Sequence, residues 1–121
     1  MTSIYYPDHI QLQALRTWHD NSVPVREQRL HAALGLAGET GELIDLLKKH
    51  FYKPGHEVNG DKVKDELSDV LYYLAVIAHL WGFTIDDMVE HLSIKLADGH
   101  GWNGSGEKIA SQNSEIDDFG Y

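Results

Sequence analysis

The chain of 121 residues contains no cysteine and few basic residues. Without cysteine, neither a disulfide framework nor a thiolate zinc site can form. Ten Lys and Arg stand against 19 Asp and Glu, a formal charge of −9, and such a surface repels a polyphosphate backbone. We therefore expect no nucleic-acid polymer as a partner. A small anionic substrate is compatible with this charge, because a divalent cation held by carboxylates reverses the local sign.

Long apolar runs are also lacking. The amino terminus has no basic patch followed by an apolar stretch, and the longest uncharged segment, residues 70–83, carries tyrosines and a histidine. We therefore expect neither a signal peptide nor a contact with a membrane, as is typical of a cytoplasmic protein. The length suits a single domain.

Four segments have helical spacing and none alternates in the manner of a strand, so we predict an all-α fold. The predicted helices cover about residues 8–19, 24–52, 61–81 and 84–96. In the first helix, Asp8 is the expected N-cap, and Ile10, Leu15 and Trp18 are expected to face inward. Asp61 is the expected cap of the third helix.

Residues 1–98 are predicted to form one all-α domain of the bundle type, with four to five helices. Residues 99–121 are predicted to be an irregular tail rich in glycine, serine and acidic residues, partly ordered or docked on a neighbouring subunit. Two of the helices are apolar on most sides and have more apolar surface than one protomer covers. We therefore expect a homodimer or homotetramer.

Acidic side chains occur in pairs within the two most apolar helices. Glu39 and Glu42 are three residues apart, and Glu66 and Asp69 repeat that spacing, so each pair projects from one side of its helix. In the third helix Asp69 is the one charged residue between positions 67 and 83, which predicts burial on nearly all sides. Carboxylates buried together require either cations or protonation, and hard oxygen ligands without cysteine suit Mg²⁺ or Mn²⁺.

Three glycines, Gly35, Gly38 and Gly41, recur every third residue in the second predicted helix. Each costs about 0.8 to 1 kcal/mol relative to alanine inside a helix. Two explanations fit this pattern: another helix approaches closely, or the glycines leave room for a ligand. In both explanations, another helix or a ligand lies close to the helical turn that carries Glu39 and Glu42.

The acidic pairs lie in the segments GLAGETGEL, residues 35–43, and DELSDVLYYL, residues 65–74. Together they resemble the MazG-like all-α nucleoside triphosphate pyrophosphohydrolases, and the resemblance covers about residues 10–96. It implies Mg²⁺-dependent cleavage of a nucleotide between the α and β phosphates. It also assigns the metal to Glu39, Glu42, Glu66 and Asp69, and we expect Glu39 or Glu42 to orient or deprotonate the attacking water.

Members of this family often carry a basic cluster after the fourth helix, whereas here only Lys95 remains. Substrate contacts are therefore predicted at Lys95, Lys49 and Lys53, with Trp18 available for base stacking and Tyr73 for a phosphate or a metal ligand. The resemblance implies a house-cleaning role in the nucleotide pool. The alternatives are an enzyme specific for dUTP or dCTP, an enzyme of the phosphoribosyl-ATP type, and a non-catalytic helical module for oligomerisation or regulation.

Overall fold

A computed structural model of the chain describes residues 4–18, 22–55 and 57–99. Within these residues it forms four helices and no strand, which confirms the predicted all-α fold. The helices are α1 (His9–Thr17), α2 (Val25–Tyr52), α3 (Gly60–Leu80) and α4 (Ile85–Ala97). The predicted tail lies outside the described residues from position 100 onward.

The chain divides into two compact units, one ending at Ile85 and the other beginning at Asp86. Helices α1, α2 and α3 belong to the first unit, and nearly all of α4 belongs to the second. Among the described helices, no single one is long and apolar enough to cross a membrane; only α3 and α4 taken together across their break reach that length and composition.

The helix starts follow the local sequence. Asp8 caps α1 as predicted: its carboxylate accepts a hydrogen bond from the Gln11 backbone N–H, and the Gln11 side chain accepts one from the Asp8 N–H. The prediction for α3 is wrong by two residues. Its N-cap is Asn59, whose side chain accepts a hydrogen bond from the Lys62 N–H, so Asp61 lies inside the first turn, where a carboxylate complements the helix dipole.

Small side chains fill the core where α1 and α2 pack on α3. The buried apolar residues are Ala14, Ala32, Ala75, Val76 and Ala78. The predicted inner face of α1 is partly wrong, since Ile10 is 44% exposed and Gln11 is fully buried instead. The Gln11 amide donates hydrogen bonds to the carbonyl oxygens of Phe83 (2.8 Å) and Ala75 (3.3 Å), which compensates for its burial.

Helices α2 and α3 run antiparallel in a matched register. At one end the Arg29 guanidinium donates to the Leu80 carbonyl oxygen and lies 3.8 Å from the centre of the Trp81 ring. One turn further along α2, Ala32 belongs to the same core cluster as Val76. Successive turns of α2 therefore face successive turns of α3 in reverse order. Continued along both helices, this register brings the two acidic pairs opposite each other.

Burial of α3 on nearly all sides is not observed. In the described part of the chain, Leu67 is 50% and Leu71 is 43% exposed, because α1 and α2 leave one side of this helix uncovered. Helix α2 also has an exposed side, with residues spaced alternately by four and three: Leu30, Leu34, Ala37, Gly41, Ile44, Lys48 and Phe51. We call this set the α2 seam.

Candidate metal centre

The two acidic pairs meet where α2 and α3 face each other. Glu39 and Glu42 project from α2, and Glu66 projects from α3. One carboxylate oxygen from each of these three residues lies within 4.8 Å of the other two. The spacing of three residues in each helix explains this convergence, since residues one turn apart share a helix face.

A second cluster extends the first along α3. Asp65, Glu66 and Asp69 also offer carboxylate oxygens within 4.8 Å of one another, so Glu66 belongs to both clusters. The four predicted residues therefore lie in one connected acidic site. Asp65 is the member that the sequence reading missed. Its spacing of four residues from Asp69 was the available signal, because residues four apart also share a helix face.

Two carboxylate oxygens in this site are fully buried without a hydrogen bond. They are Oε2 of Glu39 and Oε2 of Glu66, and no donor among the described residues reaches either one. Burial raises the pKa of Glu39, and the neighbouring carboxylates of Glu42, Asp69 and Glu66 raise it further. Burial likewise raises the pKa of Glu66, with Glu42, Asp69 and Asp65 adding to the effect.

These observations fit a divalent cation. Buried polar atoms in proteins normally have partners, and like charges this close repel one another unless a cation or a proton is present. Among the described residues, no lysine or arginine forms an ion pair with Glu39, Glu42, Glu66 or Asp69. Carboxylate oxygens are the ligands that Mg²⁺ and Mn²⁺ prefer. The four acids can hold such an ion, with Asp65 as a further ligand.

The three glycines of α2 differ in their surroundings. A Cβ atom on Gly35 would overlap the ring of Tyr73, whereas a Cβ on Gly38 or Gly41 would meet nothing within 4 Å. Close approach therefore explains Gly35, whereas no contact with the described residues requires glycine at the other two positions. Gly38 and Gly41 line a cleft of about 520 Å³ that also contacts Glu42 and Glu66.

One lysine shares this cleft. Lys49 lies at its edge, and the Lys49 ammonium forms an ion pair of 2.8 Å with Asp45, which lowers the pKa of that carboxyl. Lys53 lines a separate cleft at the end of α2. Lys95 is on α4, in the other compact unit. Roles for these three lysines at the acidic site stay predictions.

Trp18 and Tyr73 have different environments. The Trp18 indole packs against the alanine-rich core, and its N–H donates to Oε1 of Gln28 (3.0 Å). Gln28 precedes Glu39 by three helical turns, about 16 Å along α2. Tyr73 follows Asp69 by one turn and lies beside the acidic pairs, against Gly35. Base stacking by Trp18 and a substrate contact from Tyr73 stay predictions.

Comparison with known proteins gives one result. A family model described as the MazG nucleotide pyrophosphohydrolase domain matches residues 28–102, more than half of the chain. The matched region includes α2 from residue 28 onward, the whole of α3 and all five acidic residues of the site. No curated protein and no solved structure gives a significant match.

Proposed function

The chain belongs to the MazG nucleotide pyrophosphohydrolase domain family, and from this we propose that it is a Mg²⁺-dependent nucleoside triphosphate pyrophosphohydrolase. It hydrolyses a ribo- or deoxyribonucleoside triphosphate between the α and β phosphates and releases the monophosphate and pyrophosphate. The observation that carries this proposal is the pair of buried, unpartnered carboxylate oxygens of Glu39 and Glu66 beside an open cleft. The proposed role is house-cleaning of the nucleotide pool.

In this proposal Glu39, Glu42, Glu66 and Asp69 hold the metal. When bound, Mg²⁺ or Mn²⁺ neutralises the triphosphate and stabilises the negative charge that develops on the leaving pyrophosphate. Four negative side chains would otherwise repel the substrate. The buried oxygens of Glu39 and Glu66 support this assignment, because a ligand there supplies the partner that they lack.

Glu39 or Glu42 also orients or deprotonates the attacking water. The water oxygen forms a bond to phosphorus, and the anhydride bond breaks with its electron pair on pyrophosphate. The water proton passes to the carboxylate. In the absence of a cation, burial and neighbouring charges raise the pKa of Glu39.

Substrate binding uses the cleft beside the acids. Lys49 neutralises part of the phosphate charge there, which its position at the cleft edge supports. Lys53, Lys95, Trp18 and Tyr73 are further proposed contacts. Gly38 and Gly41 leave the wall of the cleft free of side chains, so it has room for a bulky ligand.

The test is pyrophosphate release from a panel of canonical and modified nucleoside triphosphates, with and without Mg²⁺. We expect Mg²⁺-dependent release that falls by at least about a hundredfold in Glu39→Gln, the size of effect typical of a lost catalytic base. Asp69→Asn is expected to weaken the response to Mg²⁺. Glu27→Gln is the matched control, since Glu27 is an exposed carboxylate near the start of the same helix.

The substrate ranking separates the alternatives within the enzyme class. Strong preference for dUTP or dCTP, or for phosphoribosyl-ATP added to the panel, would replace the house-cleaning role with that specific reaction. No release from any nucleotide, combined with a metal that raises the melting temperature, would support a non-catalytic helical module instead.

A second copy of the chain is the proposed partner of the α2 seam, giving a homodimer or homotetramer. The alternation of four and three residues is the spacing by which two helices interlock side by side. Ala37 and Gly41 in the middle of the seam allow close approach. Gly41 also lines the cleft, so the second copy would lie beside the proposed substrate site.

A further inference from the structure

Gly35 on α2 lies close to the ring of Tyr73 on α3. A Cβ atom on Gly35 would lie 2.7 Å from Cδ1 of the Tyr73 ring and closer still to Cε1 and Cζ. Real Cβ atoms do not approach ring carbons to this distance, so a side chain at position 35 would displace the ring. The Tyr73 ring also meets the Tyr72 ring edge-on, with centroids 5.1 Å apart.

The contact lies between the core and the acidic site. Gly35 precedes Glu39 by four residues on α2, and Tyr73 follows Asp69 by four residues on α3. The contact is therefore one helical turn from each acidic pair. One turn in the opposite direction, Ala32 and Val76 are both fully buried.

This placement matters because the acids come from two separate helices. Mg²⁺ requires ligand distances of about 2.0 to 2.1 Å in near-octahedral geometry, so a change in helix separation weakens binding. The Tyr73 ring is rigid, and it occupies a space that only glycine leaves open. Together, the Tyr73 ring and Gly35 set the distance between the backbones of α2 and α3 next to the two acidic pairs.

We infer that the Gly35–Tyr73 contact is a positioning element that sets the distance between the two acidic pairs and thereby the affinity for the divalent cation. The inference rests on the proposed function, since it takes the acids as ligands. It assigns the Tyr73 ring, rather than its hydroxyl, the main role. It also gives a reason for a glycine at a position inside a helix, where alanine is intrinsically favoured.

The experiment measures Mn²⁺ binding by calorimetry, together with kcat and KM for pyrophosphate release. We expect Gly35→Ala and Tyr73→Leu each to weaken Mn²⁺ binding by about tenfold or more, as is typical when a residue supporting a metal ligand is changed. Tyr73→Phe keeps the ring and is expected to bind Mn²⁺ like the parent chain. The double variant Gly35→Ala/Tyr73→Leu removes the overlap and should bind Mn²⁺ more tightly than Gly35→Ala.

Gly60→Ala is the matched control, because an added Cβ there meets nothing within 4 Å and the residue lies outside the cleft. We expect it to leave Mn²⁺ binding unchanged. Circular dichroism at the assay temperature identifies any variant that fails to fold; in that case the comparison of Tyr73→Leu with Tyr73→Phe decides the inference.

Three results would overturn the inference. If folded Gly35→Ala and Tyr73→Leu bind Mn²⁺ like the parent chain, the contact serves stability alone. A second such result is that Tyr73→Phe raises KM without changing Mn²⁺ binding and that Tyr73→Leu has the same two effects. In that case the hydroxyl binds substrate and the ring has no positioning role. If the parent chain itself binds no Mn²⁺ and releases no pyrophosphate, the proposed function fails and this inference fails with it.

Discussion

Glu39 and Glu66 each have a buried carboxylate oxygen that no donor from the described residues reaches. Burial and neighbouring acids raise the pKa of both groups above the ordinary value of 4.5. Without metal, the folded protein therefore holds protons on these groups more tightly than the unfolded chain does. A cation replaces those protons, so metal binding and pH are linked at this site.

This linkage predicts how stability changes with pH. The contribution of a carboxyl with a raised pKa is fully present below pH 4.5 and is lost as the pH rises through its folded-state value. In EDTA, we expect the parent chain to lose stability relative to Glu39→Gln as the pH rises from 4.5 to neutrality. Mg²⁺ should reduce that relative loss, because it pairs with the ionised carboxylates. Thermal unfolding followed by circular dichroism measures both effects.

The control for this prediction is Glu27→Gln, which removes an exposed carboxylate from the same helix. Because Glu27 lies outside the acidic site, Mg²⁺ should change the stability of this variant by the same amount as that of the parent chain. If the stability of the parent chain and of Glu39→Gln changes with pH in the same way in EDTA, the surroundings do not destabilise the ionised carboxylate of Glu39.

At the scale of single residues, the sequence predicts part of the acidic site. The spacing of three residues within each pair identifies Glu39, Glu42, Glu66 and Asp69, since helical geometry alone puts each pair on one face. It does not separate Gly35 from Gly38 and Gly41, because that difference depends on which residue of α3 lies opposite. The spacing of three does not include Asp65, which lies four residues before Asp69.

Among the helices, α1 is held to α3 by a polar side chain. Gln11 is fully buried, and its amide bonds to the carbonyl oxygens of Phe83 and Ala75 while its oxygen accepts from the Asp8 N–H. Asp8 in turn accepts a hydrogen bond from the backbone N–H of Ile85 (3.0 Å). One network thus joins the start of α1, the end of α3 and the start of α4.

We expect Gln11→Leu to destabilise the protein by at least about 2 kcal/mol, because it leaves buried groups without hydrogen-bond partners. Urea unfolding followed by circular dichroism measures the change. Gln13→Leu is the matched control: Gln13 is exposed on the same helix, and its side chain contacts only His9 among the hydrogen bonds described. Equal stability of the two variants would show that the Gln11 network contributes little.

The helices themselves follow from local signals, and their burial does not. Asp8 before the first helix and Pro24 before the second mark their starts, and both effects are local. Ile10 and Leu71 were expected inside because they are apolar. They are exposed because the alanines of the core bring the helices into contact along other faces, and such contacts depend on residues distant in sequence.

At the scale of the whole molecule, the α2 seam is a long exposed apolar surface within the described residues. Leu34 is 62%, Ile44 58% and Phe51 74% exposed, on one side of a helix of 28 residues. Soluble monomers rarely leave so long an apolar strip in contact with water. We expect the parent chain to sediment as a dimer or tetramer and Leu34→Glu to shift it toward the monomer.

Sedimentation velocity at several concentrations measures this change. Leu12→Glu on α1 is the matched control, since Leu12 is exposed to a similar degree but lies outside the seam. A parent chain that is monomeric at all concentrations would contradict the proposed partner. An equal effect of Leu34→Glu and Leu12→Glu on the sedimentation would also contradict it.

The matched register of α2 and α3 also constrains how the length of this protein can vary. Inserting one residue between Gly35 and Glu42, or between Glu66 and Tyr73, turns everything beyond it by about 100° around the helix axis. That rotation would separate the acids from each other or from the Gly35–Tyr73 contact. The connection between Tyr52 and Gly60 joins the two helices at one end, so a change in its length alters neither the spacing within α2 nor the spacing within α3.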